Sequence, residues 1–466
     1  MPTTSTDPKR IALILRAQLP YTRERNWLFP VLTEAYLPLL KMLGRLADDE
    51  ISFCITLAFP ETLRAMLDDP TLQRRYVAWL EEEIATAEAE CARQVNIPPL
   101  LVLAQKTRDR LVGALKTFTH EWRCDIPQQW RRLAFSGHIE LAATGASGAL
   151  LSDLELQPGF LKAQIRLGLE STPSASGFLP AEGVLSRAAA REISAAGLSW
   201  VAAECSQKSP FSTDDGLVVL PTDPKLRWRL EDARQGFPAT PVYRSFHTRL
   251  PLKYYAGGVD REHPTVIYET VRARPVIEQH AAAFLDEAGD VSSICLEMET
   301  LGHWWAEGIH FLEHILRNEE AAKFVTPEEL IAEMSVLPRH RISDTPSLFP
   351  PNENSYASAT ESILDGISKL NNSTRIPDDS LRARALRQAL RECLITQSND
   401  WRILRDADPN GLGKMAREEV ESRLTRAQEL VESVRTDTTS EVFVTACESD
   451  GSVFPNLDWR SLLSRI

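Results

Sequence analysis

Two carboxylates close together on one segment, followed by a histidine and paired indoles, are the residues here most able to do chemistry. They stand in the stretch 295–308, where Glu297 and Glu299 follow the apolar run Val291-Ser-Ser-Ile-Cys-Leu296 and precede Gly302, His303, Trp304 and Trp305. A strand that ends in acids, then turns into an aromatic pair, suits a sugar site: carboxylates for proton transfer or attack, flat indoles for stacking on pyranose faces. An ordinary strand-to-helix junction with two core tryptophans would show the same spacing. The rest of the chain has to decide between them.

The elements that would position these groups alternate. Ile11-Ala-Leu-Ile-Leu15 reads as a buried parallel strand ending at the loop Arg16-Ala-Gln-Leu-Pro-Tyr21, and Trp27 to Leu43 has apolar residues at helical spacing. Further strands are expected at Ile51 to Leu57, Gly137 to Ala143, Gly177 onward, Leu198 to Ala203 and Val291 to Leu296, with a helical pattern over 71–120. The glycine-rich loop Thr144-Gly-Ala-Ser-Gly148 lacks the lysine and spacing of a phosphate loop. Alternation of this kind predicts an α/β fold with a parallel sheet or barrel. The proline-rich stretch 206–240 reads as an inserted subdomain or lid, and 342–376, rich in Ser, Pro and Asn, as a loop or boundary. The expected division is barrel over 1–205 and 241–375, the insertion between them, and a helical domain over 376–466.

Bulk properties narrow the function. A net charge of −13 argues against a nucleic-acid partner, since affinity for phosphates comes from Lys and Arg. With 43% hydrophobic and 25% charged residues the composition is that of an ordinary soluble protein, and no run is long enough for a membrane span. Seven cysteines without C-x-x-C pairing read as reduced thiols, so a cytoplasmic protein is expected. No His/Asp cluster has ligand spacing, and neither metal nor cofactor is expected.

Several ordered motifs together resemble glycoside hydrolase family 57, in its branching-enzyme-like group. The family's H-x-H-L-P-Y and A-E-S-Y-L-P-L-L are similar to Arg16-Ala-Gln-Leu-Pro-Tyr21 and Thr33-Glu-Ala-Tyr-Leu-Pro-Leu-Leu40. A further match is Thr62-Leu-Arg-Ala-Met-Leu-Asp-Asp-Pro-Thr-Leu-Gln-Arg-Arg75. L-F-G-H-W-W-F-E-G resembles Thr300-Leu-Gly-His-Trp-Trp-Ala-Glu-Gly308, and Q-S-S-D-W resembles Gln397-Ser-Asn-Asp-Trp401. The resemblance implies an incomplete (β/α)7 barrel with an inserted small subdomain and a C-terminal all-helical domain. It also implies retaining chemistry on α-glucan by two carboxylates about 5–5.5 Å apart.

Carried over residue by residue, the catalytic set is altered. The nucleophile of W-L-P-E-C falls on Ala181 in Phe178-Leu-Pro-Ala-Glu-Gly183, with Glu182 one place late. Such a slip turns a strand side chain to the opposite face, so Glu182 can substitute only if the backbone bulges. Trp200-Val-Ala-Ala-Glu-Cys205 imitates the motif but belongs to the next strand. The acid/base falls on Glu297 in place of Asp; Arg16 and Gln18 replace the opening histidines, and the second-region His is missing from the 143–148 loop. The resemblance therefore implies an α-glucan-binding protein with little or no catalysis. Trp304, Trp305 and Trp401 are its expected stacking platforms, and His303 and Asp400 its polar contacts. The alternative is an active 1,4-α-glucan branching enzyme or 4-α-glucanotransferase using Glu182 and Glu297.

Overall fold

The structure, a computed structural model, describes residues 8–23, 26–244, 256–257, 266–334, 336–342, 355–373, 375–407 and 410–463. Its strands are β1 (Lys9–Arg16), β2 (Ile55–Ala58), β3 (Ile139–Thr144), β4 (Gly177–Leu179), β5 (Trp200–Ala203), β6 (Phe211–Ser212), β7 (Val218–Pro221), β8 (Ala256–Gly257), β9 (Val266–Ile267), β10 (Val291–Glu297) and β11 (Ala322–Phe324). The order β10-β1-β2-β3-β4-β5-β7 is parallel throughout; β11 adds to β1, β6 runs antiparallel on β7, and β8 pairs with β9 apart from this sheet. The sheet curls back towards its start. The amide of Asp223, just past β7, donates to the Ser293 carbonyl of β10 at 2.8 Å, and Ser293 Oγ donates to the Pro221 carbonyl. The expected half-barrel is present.

Period-two alternation sorts the side chains. Ala12 and Ile14 of β1, Ala58, Ala142, Leu179, Trp200, Ala202 and Leu220 fill the inside, while Leu13, Leu15, Ile294 and Leu296 pack outward under the helices. Arg16 is in phase with Ala12 and Ile14, and Glu297 with Cys295, so both strand ends aim charged groups into the barrel mouth. Leu330, on the helix Pro327–Ala332, joins the inner cluster.

Three expectations change. The helical run over 71–120 is two helices, Pro70–Arg93 and Pro98–Lys116, because Pro98 and Pro99 cannot continue the first. The 206–240 stretch contributes β7 to the main sheet, so that part is barrel rather than insertion. Within 342–376, residues 343–354 and 374 lie outside the described residues, but Ser355–Ser373 is a helix, not a loop. Its buried Ile363 and Ile367, one turn apart, were hidden by polar composition. The helices Leu381–Thr396, Asn399–Ala407, Leu412–Arg435 and Glu441–Asp450 complete the C-terminal bundle.

Candidate active site

Arg16 is the centre of the barrel mouth. It is 2% exposed, and its Nη2 donates to Glu297 Oε1 and lies 3.6 Å from Glu182 Oε1, while Nη1 donates to the Pro180 carbonyl at 2.6 Å. The same guanidinium therefore touches both candidate acids and the turn that carries one of them. Burial would lower its pKa, but the carboxylates of Glu297 and Glu182 outweigh this and hold it above the ordinary value.

Glu182 reaches this position through the backbone. After β4 the chain turns at Ala181–Gly183, and Glu182 takes a left-handed conformation, φ 54° and ψ 13°. A non-glycine residue there is uncommon and costs about 1 kcal/mol or more. β4 has already ended at Leu179, so this turn, rather than a bulge within the strand, redirects the Glu182 side chain, while Ala181 packs among Leu150 and Val184. Glu182 Oε1 accepts from Asn399 Nδ2 at 3.0 Å, and Oε2 lies 3.6 Å from Arg227.

Glu297 is fixed from two sides. Arg16 binds its carboxylate, and its amide donates to Glu231 Oε1 at 3.0 Å. Burial raises its pKa and the charges of Glu182 and Glu231 add to this, against the pull of Arg16. Arg227 ties the acids together, donating to Glu231 and Glu204 at 2.7 Å each. Glu204, in the imitation motif after β5, thus joins the network through a cation rather than as a nucleophile.

Glu299 lies deeper. Its Oε1 accepts from the Gln18 amide at 3.0 Å and from the Tyr36 hydroxyl, and burial, with Glu297 nearby, pushes its pKa up to about 8. Tyr36 and Glu34 stand on the widened helical turn Leu32–Tyr36, a π segment that turns both towards the site. Glu34 Oε2 binds His303 Nδ1 at 2.6 Å. Gly302 has φ +102° and lies against the Glu34 carbonyl where a Cβ would collide, so this turn requires glycine.

The aromatic residues divide. Trp304 is 54% exposed, with the His303 ring edge-on to it at 4.7 Å. Trp305, 2% exposed, packs on Tyr243 and Phe311, and Trp401, 5% exposed, donates its indole N–H to the Ile395 carbonyl at 3.0 Å. These two are core residues, which corrects the expectation that all three form platforms. Asp400 is also buried: Ser398 Oγ donates to it at 3.0 Å, and burial raises it to about 7 despite that bond. Gln18 Nε2 points to the Gly148 carbonyl at 3.4 Å, and Gly148 in turn accepts from the Asn399 amide at 3.1 Å. The glycine loop after β3 thus docks the C-terminal bundle onto the barrel.

A model of glycosyl hydrolase family 57 matches residues 12–345, and one of the 1,4-alpha-glucan branching enzyme C-terminal region matches 359–461. The chain belongs to glycosyl hydrolase family 57. Among family relatives, a probable 1,4-alpha-glucan branching enzyme of Mycobacterium tuberculosis is 24% identical over 474 residues, covering 86% of this chain and 88% of that protein. A 1,4-alpha-glucan branching enzyme of Thermococcus kodakarensis is 20% identical, covering 84% and 69%. The fold is similar to that of an alpha-amylase from Thermotoga maritima, with TM-score 0.87, 21% identity and coverage of 98% and 100%. It is also similar to the family 57 branching enzyme of Pyrococcus horikoshii, with TM-score 0.85, 18% identity and coverage of 98% and 97%.

Sequence reasoning missed Arg227, Glu231, Asn399, Tyr36 and Glu34. The Arg227/Glu231 pair had a local signal, an i,i+4 spacing on a helix capped by Asp223, whose carboxylate accepts from the Lys225 and Leu226 amides. Asn399 stood inside the Gln397–Trp401 motif, but nothing in the sequence signalled its contact with Glu182.

Proposed function

We propose that the protein is an α-glucan-binding member of the family in which bond cleavage is suppressed. The observation that carries this reading is the buried Arg16 guanidinium, in contact with both acids. Retaining catalysis needs the scissile bond between the two carboxyl groups, and here the cation takes that space. Removing one member of a buried ion pair costs about 3–5 kcal/mol, so a sugar does not displace it readily. Trp304 supplies an exposed indole beside the mouth for binding.

A second reading has its own support. The left-handed turn brings Glu182 to the cation that holds Glu297, and the raised pKa of Glu297 suits a proton donor. Under it, Glu182 attacks the anomeric carbon while Glu297 protonates the leaving oxygen and then activates the acceptor hydroxyl.

Amylose assays separate the two. We expect retained binding with no reducing ends and no shift in the iodine spectrum. Robust glucosyl transfer that disappears in Glu182→Gln and in Glu297→Gln would overturn the first reading and establish the second.

A further inference from the structure

The layer of helices outside the barrel leaves a gap over β3. Ala142 belongs to the interior cluster, so its neighbour Leu141 points outward, yet it stays only half-buried. Over it a cavity of 290 Å³ lies between the helices Glu61–Asp68 and Ile126–Phe135 and the turn Ser171–Ser174. The helix Pro158–Ser171 stops at this turn because Pro173 holds Thr172 out of helical geometry, at φ −137° and ψ 67°. Phe59 and Trp130, with ring centres 5.0 Å apart, form one wall, to which Leu67 and Pro127 add. The volume stands at the small end of ligand sites, about 300–1,000 Å³, so the occupant is small.

Two donors around this cavity are unmade. Trp130 is 4% exposed, and its indole N–H has no acceptor. Thr172 is 8% exposed; its amide donates to the Leu169 carbonyl and its carbonyl accepts from the Ala175 amide, each at 2.9 Å. Its hydroxyl has no partner among the described residues. Folded proteins leave few buried donors in this state, and each calls for an acceptor. One cation stands with them. Arg64 is engaged, donating to the Ser171 carbonyl with Glu61 at 4.0 Å. Arg131 is not: Asp125 Oδ1 lies 3.6 Å away, beyond a hydrogen bond, and already accepts from the Gln128 amide at 2.8 Å.

We propose that this cavity binds a small apolar carboxylic acid in its ionised form. The ring or chain lies against Phe59 and Leu141, and the carboxylate accepts from Trp130 Nε1, Thr172 Oγ1 and the Arg131 guanidinium. A hexose presents hydroxyls on all sides to walls that offer it mostly carbon. An apolar molecule without a carboxylate leaves both buried donors unmade, and a bare inorganic anion leaves the aromatic wall uncovered. The cavity opens on the outer face of the sheet, whereas Arg16 and Glu297 point inward, so the site is independent of glucan binding.

Nuclear magnetic resonance of the full chain, labelled with nitrogen-15 in its indoles, tests this with benzoate, benzyl alcohol and maltose. We expect benzoate to shift one indole N–H saturably, and that signal to be the one absent from Trp130→Phe. Thr172→Val, which removes the hydroxyl and keeps the volume, should weaken benzoate about tenfold without lowering the melting temperature. It decides the matter if Trp130→Phe does not fold. Arg131→Gln, at an exposed position, should weaken it about threefold. No saturation below about 10 mM, equal binding of benzyl alcohol or maltose, or affinity unchanged in Thr172→Val would overturn the site.

Discussion

Two neighbouring indoles show how much a single residue's surroundings determine its role. Trp304 and Trp305 are adjacent in sequence, but one faces solvent and the other is sealed between Tyr243 and Phe311. Trp305→Ala is expected to destabilise the fold by about 3–5 kcal/mol through the cavity it leaves. Trp304→Ala should leave the melting temperature nearly unchanged and weaken amylose binding about fivefold, the loss of about 1 kcal/mol of ring stacking. Thermal melts and affinity electrophoresis on amylose measure the two effects separately. Equal melting of both variants would show that the division between core and platform is misplaced.

At the scale of elements, the end of β10, the end of β1 and the widened turn Leu32–Tyr36 meet on Glu299. Its pKa, about 8 in the folded protein against about 4.3 unfolded, means the folded state holds a proton that the unfolded chain releases in that interval. The folded state therefore binds more protons, and stability falls as pH rises from about 4.3 through 8. Melting temperatures between pH 5 and 8 should decline in the natural protein and decline less in Glu299→Gln; identical slopes would show that the carboxyl titrates normally. These elements were unequally legible. The apolar run Ile11 to Leu15 and the alternation around Glu297 announce strands, and their phase sends Arg16 and Glu297 inward. β7 was hidden in a stretch of prolines, and the helix Ser355–Ser373 by polar residues around two isoleucines. At Glu182 the sequence carried only the condition of a bulge; the left-handed turn found there was not legible, because the residue type does not favour it.

Across the whole molecule, a buried ion network joins the C-terminal bundle internally and leans on the barrel. Arg423 donates to Glu392 at 2.9 Å, both fully covered, and also reaches Glu419 at 2.7 Å. Its guanidinium stands 5.5 Å from the Tyr21 ring, in the loop after β1. Arg423→Met leaves Glu392 charged and without this partner, and should cost about 3–5 kcal/mol in denaturant unfolding. The double variant Arg423→Met with Glu392→Leu should recover most of that loss; no recovery would mean packing, not charge, dominates there.

The single amide that Asn399 extends to Glu182 carries one more implication. That amide comes from the helical tail, some two hundred residues further along the chain than the acid it steadies. Loosening the tail from the rim, by heat, denaturant or a competing partner, would take away a restraint on the acid while every strand stayed in register. Loss of the candidate centre can therefore precede loss of the sheet, and the mouth of this barrel is only as rigid as its grip on the bundle.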